Sequence, residues 1–120
     1  MTQLPEQAID RVANYFQALA EPTRLRILNL LREAEHKVGE LAQACGYTAA
    51  NMSRHLTVLT QQGFVKRECR GTSVYYQIAD PTIYALCDLV CDRITQQHLA
   101  QTWPGVTAYK KRSTHTRKTI

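Results

Sequence analysis

The chain has 120 residues, 44% of them hydrophobic, with four Cys and a formal charge of +5 from 15 Lys and Arg against 10 Asp and Glu. That length supports one compact domain that buries roughly two-thirds of its unfolded surface, which excludes a two-domain enzyme and makes disulfides or a structural metal unnecessary for folding. The most apolar run, Ile27 to Leu31, is too short to span a membrane and Met1 to Gln7 does not read as a secretory signal, so a cytoplasmic location is expected, with cysteines present as thiols, ligands or core residues.

The first predicted helix opens at Pro5 and carries Ile9, Val12, Ala13, Phe16, Leu19 and Ala20 on one face. A second restarts at Pro22, buries Leu25, Leu28 and Leu31 with Ile27 and Leu30 beside them, and is expected to end near Glu35. A short helix follows from Val38 to Cys45, with Leu41, Ala42 and Cys45 on its inner side and Gly46 as its stop. After the turn Gly46-Tyr47-Thr48, Thr48 caps a further helix running to Gln62, whose inner stripe is Met52, Leu56 and Leu59 and whose stop is Gly63. Two helices joined by so short a turn make a helix-turn-helix.

Beyond Gly63 the apolar period changes to two, which predicts a hairpin of Phe64 to Arg70 and Ser73 to Ile78 around Gly71-Thr72. In that register Cys69 faces Val74, Arg67 faces Tyr76 and Val65 faces Ile78, with Lys66, Glu68, Arg70, Ser73, Tyr75 and Gln77 on the opposite side. Asp80-Pro81 then opens a long helix reaching about Gln101, and Trp103-Pro104-Gly105 closes the fold. The fold class is mostly α (α+β): a winged helix-turn-helix of five helices with a two-stranded wing over residues 1–103, followed by a basic, disordered tail over 104–120.

Charge follows this plan. Thr23 to Arg70 is basic, the segments on either side are slightly acidic, and the tail holds Lys110, Lys111, Arg112, Arg117 and Lys118 with no acid. A basic centre of this kind is the footprint of a polyanion binder. Placing Met52, Leu56 and Leu59 inward turns Ala50, Ser53, Arg54 and Thr57 outward, with Thr48 and Asn51 at the leading end. Arg54 suits a guanine edge or a phosphate, Asn51 an adenine, and Ala49 or Ala50 a thymine methyl. His55 borders the inner stripe and is read as packed or phosphate-contacting. Lys66, Arg70 and Thr72 are read as phosphate contacts, because a wing tracks the backbone. An enzyme is not expected, since there is no Gly-rich phosphate loop or nucleophile motif and the four His lie in unrelated segments.

Four motifs in unbroken order resemble the ArsR/SmtB family of small bacterial repressors: Ala20-Glu21-Pro22-Thr23-Arg24-Leu25-Arg26-Ile27-Leu28, Val38-Gly39-Glu40-Leu41-Ala42, Asn51-Met52-Ser53-Arg54-His55-Leu56 and Val74-Tyr75-Tyr76. The resemblance implies a homodimer through the first and last helices, an inverted-repeat operator in double-stranded DNA, and an inducer that weakens DNA binding. It also implies where inducer ligands would stand. Asp80, Thr82, Arg93 and Gln96 occupy the last-helix metal positions, of which Asp80 alone keeps a ligand; Lys37-Val38-Gly39 replaces a Cys-x-Cys; and Asn29 replaces a switching cysteine.

What this chain offers instead is Cys87 and Cys91, spaced i and i+4 on one helical face. Two thiolates select a soft metal or metalloid such as cadmium or arsenic(III), with Cys69, Cys45 or His98 as possible further ligands. The same two cysteines also fit an apolar stripe with Ile83, Val90 and Ile94, where a thiol is simply a small buried side chain. Cys45 and Cys69 are expected to pack in the core. The alternative to a thiol-binding inducer is a repressor controlled by thiol oxidation, or one with no small-molecule inducer. The tail reads equally as a phosphate grip or a solubilising end.

Overall fold

The computed structural model describes residues 3–102, with side chains described as far as Gln97; the basic tail and the side chain of His98 lie outside the described residues. These form two compact units, one ending at Asp80 and the other beginning at Pro81. The first holds α1 (Glu6–Leu19), α2 (Pro22–Leu31), β1 (His36–Lys37), α3 (Val38–Cys45), α4 (Ala49–Gln61), β2 (Val65–Arg70) and β3 (Ser73–Ile78), and the second holds α5 (Thr82–Thr102). Five helices with this sheet make a winged helix-turn-helix.

The helix-turn-helix is built by local chemistry. α3 ends at Gly46, whose φ of 71° is a left-handed value that a side chain would resist. The Tyr47 amide then donates back to the Ala42 carbonyl at 2.9 Å, folding the chain sharply. One residue on, the Thr48 hydroxyl accepts from the Asn51 amide at 3.2 Å and starts α4. Met52, Leu56 and Leu59 are fully buried, each Leu contributing about 1.5–3 kcal/mol of burial free energy. Their neighbours in the core are Ile27, Leu28, Leu31, Leu41, Ala42, Phe64, Val65 and Tyr76.

The hairpin has the register that two-residue periodicity predicts: Val65 opposite Ile78, Arg67 opposite Tyr76 and Cys69 opposite Val74. The turn between the strands contains Gly71 at φ 61°, again left-handed. The expected two-stranded hairpin is there, and a third strand, which the sequence pattern does not show, joins it in the sheet. β1 pairs antiparallel with β3, His36 opposite Tyr76 and Lys37 opposite Tyr75, giving the order β1-β3-β2. A two-residue strand has no periodicity to detect, and this one is specified by the exposed edge of β3 rather than by its own sequence.

Several expectations shift with it. α2 ends at Leu31 rather than near Glu35, because the chain must extend to meet β3. Pro5 stands at the N-cap of α1 in extended backbone, one residue outside the helix it was expected to open. Leu25, expected inside, is 42% exposed, and the inner face of α2 is Thr23, Ile27, Leu28 and Leu31. Thr23 tolerates burial because its hydroxyl donates to the Tyr47 hydroxyl at 2.8 Å. Cys69, expected in the core, is exposed. On β2 only Val65 at the foot is buried, while on β3 Tyr76 is buried and Val74, opposite Cys69, is half-buried.

Candidate nucleic-acid interface and thiol pair

α4 presents Thr48, Ala49, Ala50, Asn51, Ser53, Arg54 and Thr57 as an exposed surface, in agreement with the sequence pattern. All are small or hydrogen-bonding, and Arg54 is the one charged side chain among them; its Nη2 donates to the Asn51 side-chain oxygen at 3.1 Å. The Thr57 hydroxyl is turned back onto the Ser53 carbonyl at 2.9 Å. The face therefore holds a coupled Arg-Asn pair among small residues, a shape suited to close approach in a major groove.

His55 is half-buried and packed. Its Nδ1 lies 3.2 Å from Arg24 Nη1 and 3.8 Å from a Glu21 carboxylate oxygen, and its ring sits 6.0 Å from that of Tyr47. Arg24, to which the sequence pattern assigns no role, is the hub of this corner. Its Nε donates to the Ala18 carbonyl at 2.6 Å and its Nη2 to the Gln17 carbonyl at 3.2 Å. Its own amide donates to Glu21, the N-cap of α2, at 3.0 Å. One guanidinium thus closes the C-terminus of α1 and reaches the middle of α4. Local sequence carries only the Glu21-x-x-Arg24 step; the contact to residue 55 is 31 positions away.

On the wing, Lys66, Arg67, Arg70 and Thr72 are all exposed. Among the described residues the side chains of Lys66 and Thr72 make no hydrogen bond or ion pair that would hold them against the sheet, and their exposure leaves them accessible to solvent. Arg70 is heavily engaged instead. Its guanidinium meets both carboxylate oxygens of Glu35, one at 2.8 Å, and also the carboxylate of Glu68. It lies over the Tyr75 ring with its central carbon 4.5 Å from the centroid, and Lys37 approaches the same ring at 5.5 Å. The pairing holds the Glu35 carboxyl below the usual carboxylate range, chiefly through the hydrogen bond from Arg70, and raises Arg70 further. Sequence reasoning misses Glu35 as a partner, since nothing local marks it.

Of the four thiols, Cys45 is half-buried and its pKa is pushed up by that burial. Cys87 and Cys91 on α5 are half-buried as well. Along α5 the stripe expected to be apolar is uneven: Ile83 is fully buried, whereas Val90 is 49% exposed beside Leu89 at 69%. Thr95, one turn beyond Cys91, is buried with no hydrogen-bond partner for its hydroxyl among the described residues. Among those residues no three His, Cys, Asp or Glu side chains gather closely enough to hold a metal ion.

Comparison with known proteins agrees with this architecture. Residues 21–67 match the family described as bacterial regulatory protein, arsR family. The HTH-type transcriptional regulator NmtR of Mycobacterium tuberculosis is 39% identical over 85 residues, 71% of this chain and 71% of that protein. The "Probable mercury resistance operon repressor" of Streptomyces lividans is 32% identical over 74 residues, 62% of this chain and 59% of that one. Among solved structures, the homodimeric winged helix-turn-helix DNA-binding domain from Mycobacterium bovis superimposes with a TM-score of 0.68 at 32% identity, covering 82% of this chain and 97% of that one. The helix-turn-helix, the wing and these likenesses together place the chain in the ArsR family of DNA-binding transcriptional regulators.

Proposed function

We propose that this chain is an operator-binding repressor that pairs with a second copy and is released from DNA by a soft metal ion or trivalent arsenical held by Cys87 and Cys91. The observation that carries the DNA reading is the exposed face of α4, built of small and hydrogen-bonding residues, capped at Thr48 and flanked by a wing with Lys66 and Thr72 in the open. Thr48, Ala49, Ala50, Asn51, Ser53 and Arg54 meet base edges, while Lys66 and Thr72 meet phosphates. His55 supports α4 from behind through Arg24.

Pairing is supported by the apolar surface that α1 and α5 each leave exposed: Ile9 and Phe16 on the first, Leu89 and Val90 on the second. Patches of this kind on a small regulator mark a protein contact, and the M. bovis relative is homodimeric. A twofold pair presents two copies of α4 to successive major grooves about 34 Å apart. A ligand that favours a different spacing shifts the dimer away from the DNA-competent state.

The donor chemistry of the α5 pair fits a soft ion, which two thiolates one helical turn apart can bridge. The mercury-resistance relative supports this class of inducer. A monomethylated arsenical, which wants two thiolates, suits the pair better than arsenite, which wants three.

The test uses the duplex that the full chain enriches from a pool of random duplexes, followed by fluorescence anisotropy during titration with cadmium, arsenite or methylarsenite. Release from the parent protein and retention by Cys87→Ser/Cys91→Ser supports the site. Equal release from both proteins discards it, and release by peroxide without any metal selects control by thiol oxidation.

A further inference from the structure

We propose that Arg70 is the tie that positions the wing, with Glu35 as its anchor, and that it is withheld from DNA phosphate. The inference rests on the DNA-binding reading above and assigns a different task to the cation that the sequence alone places at a phosphate.

The geometry is specific. Arg70 stands at the last position of β2, beside the turn, where an extended side chain would reach away from the sheet towards a duplex. Instead it lies along the sheet. Lys37, Tyr75 and Glu68 form one cross-strand row through β1, β3 and β2. The Arg70 guanidinium covers the Tyr75 ring of that row, commits two nitrogens to Glu35 and its Nε to Glu68. Glu35 precedes β1 in the connection from α2, so the far end of the wing is tied to the segment that leaves the helical core. A planar, two-toothed Arg-carboxylate contact fixes orientation as well as distance.

Charge favours the same assignment. With Glu35 and Glu68 against a single Arg70, the trio carries a net negative charge. Moving Arg70 to a phosphate would leave two carboxylates uncovered on the surface that approaches the duplex, and their repulsion would offset the new interaction. Lys66, on the same face of the hairpin and exposed, carries the phosphate contact on this strand.

The experiment compares the parent chain, Arg70→Gln, Glu35→Gln, the double variant, and the charge exchange Glu35→Arg/Arg70→Glu. Each is measured on the duplex enriched by the parent across a range of salt, and by amide hydrogen exchange of β2 and β3 without DNA. A tie predicts that both single variants weaken binding by about fivefold to twentyfold for a twofold dimer, on the scale of an exposed ion-pair network. It also predicts that the double variant is no worse than either single one, that swapping the charges restores most of the affinity, and that the salt slope stays at the parent value. Amide exchange in the two strands quickens in both single variants.

Direct phosphate binding by Arg70 predicts the opposite pattern. Arg70→Gln would then lower the salt slope by about 0.9 for each phosphate that is no longer neutralised, Glu35→Gln would tighten binding by freeing Arg70, and the swapped pair would not recover. Either that pattern or unchanged binding in both single variants overturns the proposal. If the parent itself fails to bind duplex DNA, the DNA-binding reading falls, and the amide exchange alone decides the tie: unchanged protection in both variants overturns it.

Discussion

Arg24→Ala is the substitution that most directly probes how the helical corner holds together. It removes the donor to the Ala18 carbonyl, which belongs to a residue only 3% exposed, at 2.6 Å, so a buried acceptor at the end of α1 is deprived of its charged partner. Hydrogen bonds from charged donors contribute about 1.5–3 kcal/mol each. The second bond, to the Gln17 carbonyl, counts for less, because that oxygen also accepts from the Ala20 amide and the bond is exposed. The link to His55 goes too, and so does a cation near the C-terminus of α1, where the helix dipole favours one. Together these predict a destabilisation of about 2–3 kcal/mol, which for a domain near 100 residues lowers Tm by roughly 8–20 °C.

The assay is urea unfolding followed by circular dichroism, with protomer concentration held fixed because pairing adds to apparent stability. Arg24→Lys keeps the charge and removes the fork, so it is expected to recover less than half of the deficit. A destabilisation below about 0.5 kcal/mol, the range of ordinary surface substitutions, or full recovery by lysine, would refute the reasoning.

Three further outcomes follow from single interactions. Thr48→Ala deletes the cap of α4 and is expected to cost about 1 kcal/mol in urea unfolding, with Thr48→Ser restoring most of it. The Glu40 carboxyl is held below its ordinary range, first by the Lys37 amide that donates to it at 2.8 Å and then, against opposing desolvation, by His36. A depressed folded-state pKa gives stability that is present above the unfolded carboxylate range and lost as pH falls through the folded value. Glu40→Ala should therefore destabilise at neutral pH, and the gap from the parent should narrow in acid; a gap that stays constant with pH would contradict this. Iodoacetamide followed by mass spectrometry should label the exposed Cys69 well before the half-buried Cys45, whose thiolate is disfavoured by burial; equal rates would contradict the exposure of the wing face.

What the sequence determined was everything carried by short-range rules. The stripe Met52, Leu56 and Leu59, the Thr48 cap, the Gly46 stop and the register of the hairpin each depend on residues within a few positions of one another, and periodicity or turn chemistry is enough to specify them. The exposed face of α4 followed from its buried one, since a helix that commits one side inward has no choice about the other.

Tertiary structure decided whatever depends on partners far along the chain. β1 pairs with the edge that β3 offers, Thr23 is buried on the inner face of α2 with its hydroxyl on Tyr47, and Cys69 is exposed although its strand alternation places it on the apolar side. Arg24 and Arg70 show the limit most plainly. Charge patterning identified a basic centre, but which partners an arginine finds depends on groups such as the His55 ring for Arg24 and the Glu35 carboxylate for Arg70, 31 and 35 residues away, and local sequence carries no signal for a partner at that range.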